Sequence, residues 1–383
     1  MPQLYYGWDW AVLTEVFTLN SFGLELRTTL LGESHGDLVG VVLEGLPPGF
    51  LVDLHQVQDW LDRRRPGQSS LTTERQEQDQ LVIRSGLFKG RTTGRPLLAY
   101  VKNQDVDSSS YKSQRSTPRP SHADYPAQEK YRGFNDYRGG GGFSGRITVG
   151  LVIAGAIARQ FLQLNEVTTR AFTRSVGLVS LPDPPLDQPW DVYHNAVRTP
   201  LITQVELLEQ EILSAKASGD SVGGVVECWV EGLPVGVGEP FFGGLKAQIG
   251  HVMLSIPSVK GVEFGVGFKA AGMRGSEHND LYYHDPISGM VRTKTNNAGG
   301  VVGGLSTGMP LVFRVAVKPT SSIAQAQWTL DLQTGEEVEL EVQGRHDPCI
   351  VPRVVPVVEM AANLVVLDLL LAGRFNLSLN DIS

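Results

Sequence analysis

Cysteine is scarce in this chain of 383 residues, and its scarcity excludes two classes of protein. Only Cys228 and Cys349 occur, which is too few for a disulfide framework and lacks the paired spacing of a zinc site. Other metal motifs are missing as well, including His-Glu-x-x-His and Asp-x-Asp-x-Asp, and so is the phosphate loop Gly-x-x-x-x-Gly-Lys-Ser/Thr. These absences predict a protein of a reducing cytosol that needs no metal, and they argue against an ATPase.

Basic residues are also fewer than acidic residues. The chain holds 33 Lys and Arg against 41 Asp and Glu, a net charge of −8, whereas a nucleic-acid-binding protein would carry a basic surface. No uncharged run approaches the ~20 residues needed to cross a bilayer, since one of the most apolar stretches is interrupted by Asp368. Residues 1–19 contain no Lys or Arg and so lack the basic start of a targeting peptide. We therefore expect a cytoplasmic protein with no nucleic-acid or membrane partner, in which any anion site is a local cationic pocket.

The hydrophobic pattern predicts a mixture of strands and helices. Apolar residues make up 41% of the chain and charged residues 19%, as in ordinary globular proteins. Apolar periodicity and turn residues predict strands at 38–43, 97–101, 225–230 and 311–317 and helices at 57–65, 147–164, 204–217 and 357–371. Because these do not alternate as βαβ units, the pattern favours an α+β fold. We divide the chain into an N-terminal extension of uncertain role, residues 1–19, and a single domain, residues 20–383.

Three segments far apart in the chain hold ionisable side chains between residues that force a tight backbone. They are Gly32–Gly36, Arg119–Tyr125 and Gly344–Cys349. His35 and His122 stand out because each has Gly or Ser beside it and a charged residue nearby, and imidazole transfers protons near neutral pH. For a single histidine a structural role is the commoner interpretation, and Asp347 could equally serve a turn. His122 lies in a polar stretch, 103–137, which is either a solvated linker or, as its context favours, a site loop.

A fourth segment, Arg138–Arg146, contains four consecutive glycines just before a predicted helix. Glycine lets the backbone approach an anion closely, and a helix N-terminus offers unpaired N–H groups. Lys318–Ser322 follows a predicted strand and offers one cation and three hydroxyls, which suit either a phosphate or an ordinary turn. Arginines recur near these segments, at 27, 63–65, 119, 138, 146 and 345. Because arginine binds carboxylate and phosphate bidentately, the recurrence predicts a small ligand with several negative charges.

Six motifs, in this order, resemble the chorismate synthase family over roughly residues 20–371. They are Gly-Glu-Ser-His-Gly at 32–36, Asp-Arg-Arg-Arg-Pro-Gly-Gln at 62–68, His-Ala-Asp-Tyr at 122–125, Asp-Tyr-Arg-Gly-Gly-Gly at 136–141, Lys-Pro-Thr-Ser-Ser at 318–322 and Gly-Arg-His-Asp-Pro-Cys at 344–349. The resemblance implies a single-domain β-α-β sandwich, with helices between antiparallel sheets, assembled as a homotetramer.

The same resemblance implies a lyase of the shikimate pathway, which leads to the aromatic amino acids. Such an enzyme converts 5-enolpyruvylshikimate 3-phosphate to chorismate by 1,4-anti elimination of phosphate. It requires reduced FMN although no net redox change occurs, and NADPH is a candidate reductant of that flavin. The substrate carries two carboxylates and a phosphate, in keeping with the recurrent arginines.

Site residues also follow from the resemblance. His35 would be the acid near the departing phosphate, His122 would protonate or hold the reduced flavin, and Asp347 would assist proton removal. The substrate-binding residues would be Ser34, Arg64, Ser144, Arg146 and Arg345. The cofactor-binding residues would be Gly142, Phe143, Ser144, Pro257, Ser258, Gly303, Lys318, Pro319, Thr320, Ser321, Ser322 and Arg345.

Some positions depart from the family pattern. Residues 141–148 replace a common Gly-Arg-Ser-Ser-Ala-Arg-Glu-Thr sequence and lack one cation and one carboxylate, although a Phe-Ser-Gly-Arg form also occurs in the family. Asn135 stands where an arginine is usual, and Pro257-Ser258 replaces a frequent Asn-Ala, so flavin affinity is expected to differ. Two alternatives stay open: a non-catalytic homologue that binds flavin or a phosphometabolite, and a lyase for a different phospho-substrate.

Overall fold

A computed structural model of the chain describes residues 20–69, 71–72, 77–104, 115–184, 191–342 and 347–379. The predicted N-terminal extension, residues 1–19, and the predicted site residue Arg345 lie outside these ranges. Within them the chain forms two five-stranded antiparallel sheets with helices packed between the sheets. This architecture confirms the predicted α+β class and the sandwich arrangement.

The helices of the described residues, numbered in chain order, are α1 Leu54–Arg64, α2 Asp124–Lys130, α3 Thr148–Leu164, α4 Val205–Ala217, α5 Leu245–Ser255, α6 Gly275–His278 and α7 Val351–Ala372. The strands are β1 Ser21–Phe22, β2 Arg27–Gly32, β3 Leu38–Glu44, β4 Val82–Ser85, β5 Leu87–Phe88, β6 Arg91–Thr92, β7 Leu97–Lys102, β8 Thr168–Val176, β9 Val179–Ser180, β10 Gly224–Glu231, β11 Val259–Phe264, β12 Tyr282–His284, β13 Val291–Thr293, β14 Val301–Val302, β15 Leu305–Ser306, β16 Leu311–Val317, β17 Gln327–Leu330 and β18 Glu337–Leu340.

The two large sheets come from the two halves of the chain. The first has the strand order β1-β2-β3-β7-β4, and the second has the order β11-β16-β10-β8-β9. Each neighbouring pair runs antiparallel, and β16 pairs with β10 over the whole length of β16, from Gly224↔Val317 to Val230↔Leu311. The remaining eight strands pair as two-stranded ribbons.

Helices α3 and α7 form the middle layer. Helix α3 packs against β2, β3 and β7, helix α7 packs against β8 and β10, and the two helices pack against each other. Glycines allow close approach here: a Cβ on Gly155 would lie 2.0 Å from the backbone oxygen of Met360, and one on Gly150 would lie 2.5 Å from that of Gly40. One continuous apolar core joins both sheets through this layer.

Helix α7 begins six residues earlier than the sequence predicted. The prediction of 357–371 rested on apolar periodicity, and it left Pro352 and Pro356, residues that disfavour helix interiors, outside the helix. In the structure Pro352 lies in the first turn, where its missing N–H needs no partner, and Pro356 is accepted inside a helix that is almost entirely buried. Tertiary packing therefore overrides the local preference at Pro356.

Helices α3 and α7 are long and apolar enough to resemble membrane spans, although each contains charged residues, as the expectation of no uncharged run of this length requires. The segments 145–164 and 351–372 pass a test of length and hydropathy, but 78% and 94% of the tested windows are buried inside the fold. Their apolar surfaces are thus covered by the two sheets. Both helices therefore belong to the apolar core of the fold.

The charge that interrupts the apolar sequence of α7 has a structural function. Asp368 is completely buried, and its carboxylate accepts hydrogen bonds from the backbone N–H groups of Leu24, Glu25 and Leu26 at 2.8 to 3.0 Å. These donors lie in the turn between β1 and β2. Asp368 therefore anchors the edge of the first sheet to the central helix.

A second buried carboxylate of α7, Glu359, makes stability depend on pH. It contacts Nη1 of Arg159 at 3.2 Å and the hydroxyl of Tyr193 at 3.0 Å, yet burial outweighs these partners and raises the pKa of Glu359 from 4.5 to about 7. Because the pKa of Glu359 is higher in the folded protein than in the unfolded chain, the protonated carboxyl stabilises the fold. This contribution is fully present below pH 4.5 and is lost as the pH rises through 7.

We expect the free energy of unfolding of the wild type to fall relative to that of Glu359→Gln by about 3 kcal/mol between pH 4.5 and pH 8. Glutamine cannot ionise, so the variant lacks this titration. Urea unfolding of both proteins across the pH range measures the difference. Parallel pH profiles of the two proteins would contradict the expectation.

Candidate active site

The glycine run forms a loop that other residues could not adopt. Gly139, Gly140 and Gly141 have φ angles of 58°, 81° and 52°, a region that side-chain-bearing residues rarely enter. The loop ends at Ser144, whose hydroxyl accepts a hydrogen bond from the backbone N–H of Arg146 at 3.2 Å, just before α3 begins. The helix therefore starts where the sequence predicted, directly after the loop.

The glycine loop joins the two predicted catalytic histidines. A Cβ on Gly139 would lie 2.3 Å from Cδ2 of His35, and a Cβ on the next residue, Gly140, would lie 3.2 Å from Cε1 of His122. The carbonyl oxygen of Gly141 accepts a hydrogen bond from the backbone N–H of Ser34 at 3.1 Å. Two imidazoles that are 87 positions apart in the sequence therefore contact adjacent residues of one loop.

Ser34 offers a polar atom at the same place. The residue is completely buried, and its hydroxyl has no hydrogen-bond partner among the described residues. A Cβ on Gly139 would lie 2.8 Å from this hydroxyl, so Ser34 faces the loop beside His35. An unpaired buried hydroxyl is costly, and a bound anion or water would satisfy it.

His122 is held by two charged neighbours. Its Nδ1 lies 2.6 Å from Oδ1 of Asp124, and both side chains contact the guanidinium of Arg119. Burial opposes ionisation of Asp124, but the hydrogen bonds from Arg119 and His122 outweigh burial and hold the pKa of Asp124 well below its usual range. Asp124 is therefore a carboxylate at neutral pH.

Contacts continue from Arg119 to the remaining predicted segments. Nη1 of Arg119 donates to the hydroxyl of Ser322 at 3.1 Å, and the hydroxyl of Thr320 donates to the backbone oxygen of Asp347 at 3.1 Å. The carboxylate of Asp347 pairs with Arg353. The turn 318–322 thus connects His122 to Asp347, the third predicted catalytic residue.

The turn also contacts the predicted cofactor residue Ser258. The backbone N–H of Lys318 donates to the carbonyl oxygen of Ser258 at 2.9 Å. Ser258 has a φ of 74°, which is strained for serine and is typical of functional sites. Burial, together with the charge of Lys260, lowers the pKa of Lys318.

The three arginines 63–65 separate at the end of α1, as the sequence predicted for a helix terminus. Arg63 lies over the rings of Trp60 and Tyr193, 4.3 and 4.4 Å from their centroids, and Arg65 pairs with Asp62 at 3.7 Å on the surface. Arg64 turns inward, where its Nη2 donates to the carbonyl oxygen of Gly145 at 2.8 Å. Only Arg64 therefore contacts the glycine segment.

Arg64 and Arg146, predicted to bind substrate, share the carboxylate of Asp79. Nη1 of Arg64 lies 3.5 Å from Asp79, Arg146 pairs with the other oxygen of Asp79, and Nη2 of Arg146 lies 3.7 Å from Glu77. Both arginines are at most 5% exposed. Nη2 of Arg146 makes no hydrogen bond within the described ranges, so it retains a donor for a ligand.

Gly303 is not brought together with the other predicted cofactor residues. It lines a separate cavity of about 820 Å³ with residues such as Phe264 and Phe268. Its neighbour Gly304 accepts from the first residue of α5, whereas Ser258 follows the last turn of that helix.

Sequence reasoning assigned no role to Asp79, Arg119 or Asp124. Asp124 could have been recognised, because it stands two residues after His122 within the His-Ala-Asp-Tyr motif. Arg119 was noted only as one of several recurring arginines. Asp79 gave no signal, since its contacts with Arg64 and Arg146 span 15 and 67 positions.

The buried imidazole of His35, the partly buried imidazole of His122 and the glycine loop lie together near the N-terminus of the central helix α3, where an anion is favoured. Such an arrangement defines an enzyme that handles protons beside a negatively charged small molecule. Comparisons with known proteins identify the family.

The sequence pattern described as chorismate synthase matches residues 26–371. The chorismate synthase of Korarchaeum cryptofilum is 47% identical over 348 residues, which cover 91% of this chain and 96% of that protein. The chorismate synthase of Thermococcus gammatolerans is 48% identical over 355 residues, which cover 92% of this chain and 98% of that protein. A solved structure titled Crystal Structure of Chorismate Synthase has a TM-score of 0.73 and 26% identity over 93% of this chain and 94% of that one.

The chain therefore belongs to the chorismate synthase family. It is an enzyme of the lyase class that acts on phosphate, and its function is chorismate synthesis. The structural neighbour agrees with the α+β sandwich described above.

Proposed function

We propose that the chain forms chorismate from 5-enolpyruvylshikimate 3-phosphate at the glycine loop 139–141, by 1,4-anti elimination of phosphate. The observation that carries this proposal is the contact of two adjacent glycines with His35 and His122. Because these glycines lack a Cβ, the loop backbone lies directly against both imidazoles, and an anion bound at the loop would meet both of them. The substrate, with two carboxylates and a phosphate, matches a site surrounded by arginines.

His35 is the proposed acid for the departing phosphate. Its side chain is only 7% exposed and lies beside the unpaired hydroxyl of Ser34, so both groups can donate to the same phosphate oxygen or to neighbouring ones. A proton donated in the transition state lowers the charge on the leaving group. Because water is excluded, these hydrogen bonds are stronger than they would be in solution.

Asp347 is the proposed group that assists removal of the substrate proton. Its pairing with Arg353 holds the carboxylate in place, and the hydroxyl of Thr320 fixes the backbone of the same residue. Arg64, Ser144 and Arg146 are proposed to orient the substrate anions, with Arg146 contributing Nη2, which makes no hydrogen bond within the described residues. Arg345 belongs to the same proposed set.

Reduced FMN fits the residues present. A side chain at Gly139 or Gly140 would fill the space beside the histidines, and the adjoining N-terminus of α3 favours negative charge. We propose that the flavin is held by Gly142, Phe143, Ser144, Pro257, Ser258, Lys318, Pro319, Thr320, Ser321, Ser322 and Arg345. When bound, reduced flavin supplies electron density for loss of phosphate without net oxidation.

Gly303 is also proposed to bind the flavin, from the separate cavity that it lines. NADPH is proposed as the reductant that generates reduced FMN.

We also propose a cytoplasmic homotetramer of single-domain subunits. Large apolar side chains are exposed along the segment 236–310, including Phe241, Phe242, Phe268 and Ile287, each at least 86% exposed. Such a surface is typical of a protein interface. Light scattering at the concentration of the assay measures the subunit number; four subunits are expected, and a monomer would contradict the proposal.

An anaerobic assay with reduced FMN and 5-enolpyruvylshikimate 3-phosphate tests the proposed function. Catalytic appearance of chorismate absorbance together with phosphate supports it. Tight binding of flavin or substrate without chorismate would indicate the non-catalytic homologue. Phosphate release from a different phosphorylated substrate alone would indicate the other lyase.

A further inference from the structure

The carboxylate of Asp124 lies between a guanidinium and an imidazole. Its Oδ1 is 2.6 Å from Nδ1 of His122 and accepts from Nη2 of Arg119 at 2.8 Å. Its Oδ2 accepts from Nε and from the backbone N–H of Arg119 at 2.8 and 3.1 Å. The Asp124 side chain is only 10% exposed. Arg119 therefore fixes both oxygens of Asp124, and Asp124 fixes one nitrogen of His122.

This geometry decides which nitrogen of neutral His122 carries the proton. An ionised carboxylate can only accept, so the hydrogen between Asp124 and His122 must lie on Nδ1. Neutral imidazole has a single N–H, which leaves Nε2 as an acceptor. A Cβ on Gly140 would lie 3.4 Å from Nε2, so this nitrogen is on the side of the ring that contacts the glycine loop. Nη2 of Arg119 also lies 3.2 Å from Nε2, and because a guanidinium can only donate, this contact agrees with Nε2 as an acceptor.

We propose that Asp124 is a positioning residue that sets the tautomer and orientation of His122, and that Arg119 locks Asp124 in place. The inference rests on the proposed role of His122 in chorismate formation and deepens it, because it states which nitrogen faces the reacting molecules. Asp124 itself needs no contact with substrate or flavin. Arg119 also donates to Ser322, so the orientation of His122 is coupled to the turn 318–322.

The change Asp124→Asn is expected to invert the tautomer. Arg119 places two donors at Oδ2 and one at Oδ1, so the asparagine oxygen takes the Oδ2 position, where it keeps two of these three hydrogen bonds. Its NH₂ group then faces Nδ1 of His122, which must accept, and the ring proton moves to Nε2. We expect kcat to fall by about 10²- to 10⁴-fold with a small change in KM, because a wrong tautomer leaves binding intact.

The experiment is ¹⁵N NMR of protein labelled at histidine, with the His122 signals assigned by their loss in His122→Asn. A wild-type spectrum with a protonated Nδ1, an Asp124→Asn spectrum with a protonated Nε2, and partial recovery of tautomer and rate in Asp124→Glu support the proposal. Asp136→Asn is the matched control. Asp136 forms a similar carboxylate–arginine pair, in which its Oδ2 lies 2.8 Å from Nη2 of Arg138. Removing this carboxylate should leave the His122 spectrum unchanged.

Two outcomes overturn the inference: a protonated Nε2 in the wild type, or the same tautomer in wild type and Asp124→Asn. The first does not depend on Asp124→Asn, so it decides the question even if that variant does not fold. If the tautomers behave as expected but the wild type makes no chorismate, the proposed function fails while the positioning role of Asp124 stands.

Discussion

Replacing His35 with alanine is expected to lower kcat for chorismate formation by about 10²- to 10⁴-fold, the usual cost of losing one general acid. The imidazole is nearly buried, contacts the glycine loop and lies beside the hydroxyl of Ser34, where the departing phosphate is proposed to bind. No other group at that position of the described structure supplies a comparable acid. Anaerobic steady-state kinetics measure the loss, and the same change at His122 is expected to fall in the same range.

His55→Ala is the control for His35→Ala. His55 is an exposed residue in the first turn of α1, where only its backbone N–H bonds to Asp53. Its replacement should leave kcat and the thermal unfolding temperature close to those of the wild type. Near-native turnover of a folded His35→Ala protein would remove His35 from the mechanism.

Gly139→Ala is expected to lower kcat by at least about 10²-fold through geometry alone. A Cβ at this position would lie 2.3 Å from Cδ2 of His35 and 2.6 Å from its Nε2, so either the loop or the histidine must move. A shift of about 1 Å at a catalytic group can cost 10²-fold in rate. The φ of 58° adds about 1–2 kcal/mol of backbone strain. Kinetics and thermal unfolding of the variant measure the two effects.

Gly145→Ala is the matched comparison within the same segment. No atom lies within 4 Å of a Cβ built on Gly145, and its φ is not in the left-handed region. Gly145→Ala should therefore keep nearly the wild-type rate. Equal rates for the two variants would show that contact between Gly139 and His35 is not required.

The sequence predicted the fold where local patterning and packing agree. Strand β16 occupies the predicted 311–317, and α3 and α4 begin within one residue of the predicted starts. In these elements the apolar pattern ends at the same positions as the residues that break a helix or strand. Helix α7 was predicted too short because local proline chemistry opposes the helix while burial between the sheets favours it. The order of strands in each sheet could not be read from periodicity, which carries no information on pairing partners.

The candidate site was predictable as a set of residue types but not as contacts. Tight motifs singled out His35, His122 and the glycine run, and the structure brings these into contact. The sharing of Asp79 by two arginines depends on tertiary structure, as does the separation of Gly303 from the turn 318–322. Spacing along the chain could not reveal either. The roles proposed for these residues stay predictions.

The central claim is that His35, His122 and the glycine loop form one site, at which phosphate is eliminated with reduced flavin and no net redox change. Its most direct test is anaerobic rapid mixing of the wild-type protein and reduced FMN with 5-enolpyruvylshikimate 3-phosphate, following chorismate, phosphate and flavin absorbance in one sample. The account predicts equal amounts of chorismate and phosphate, with all the flavin reduced when the reaction ends. Phosphate without chorismate, or flavin oxidised in proportion to product, would contradict it.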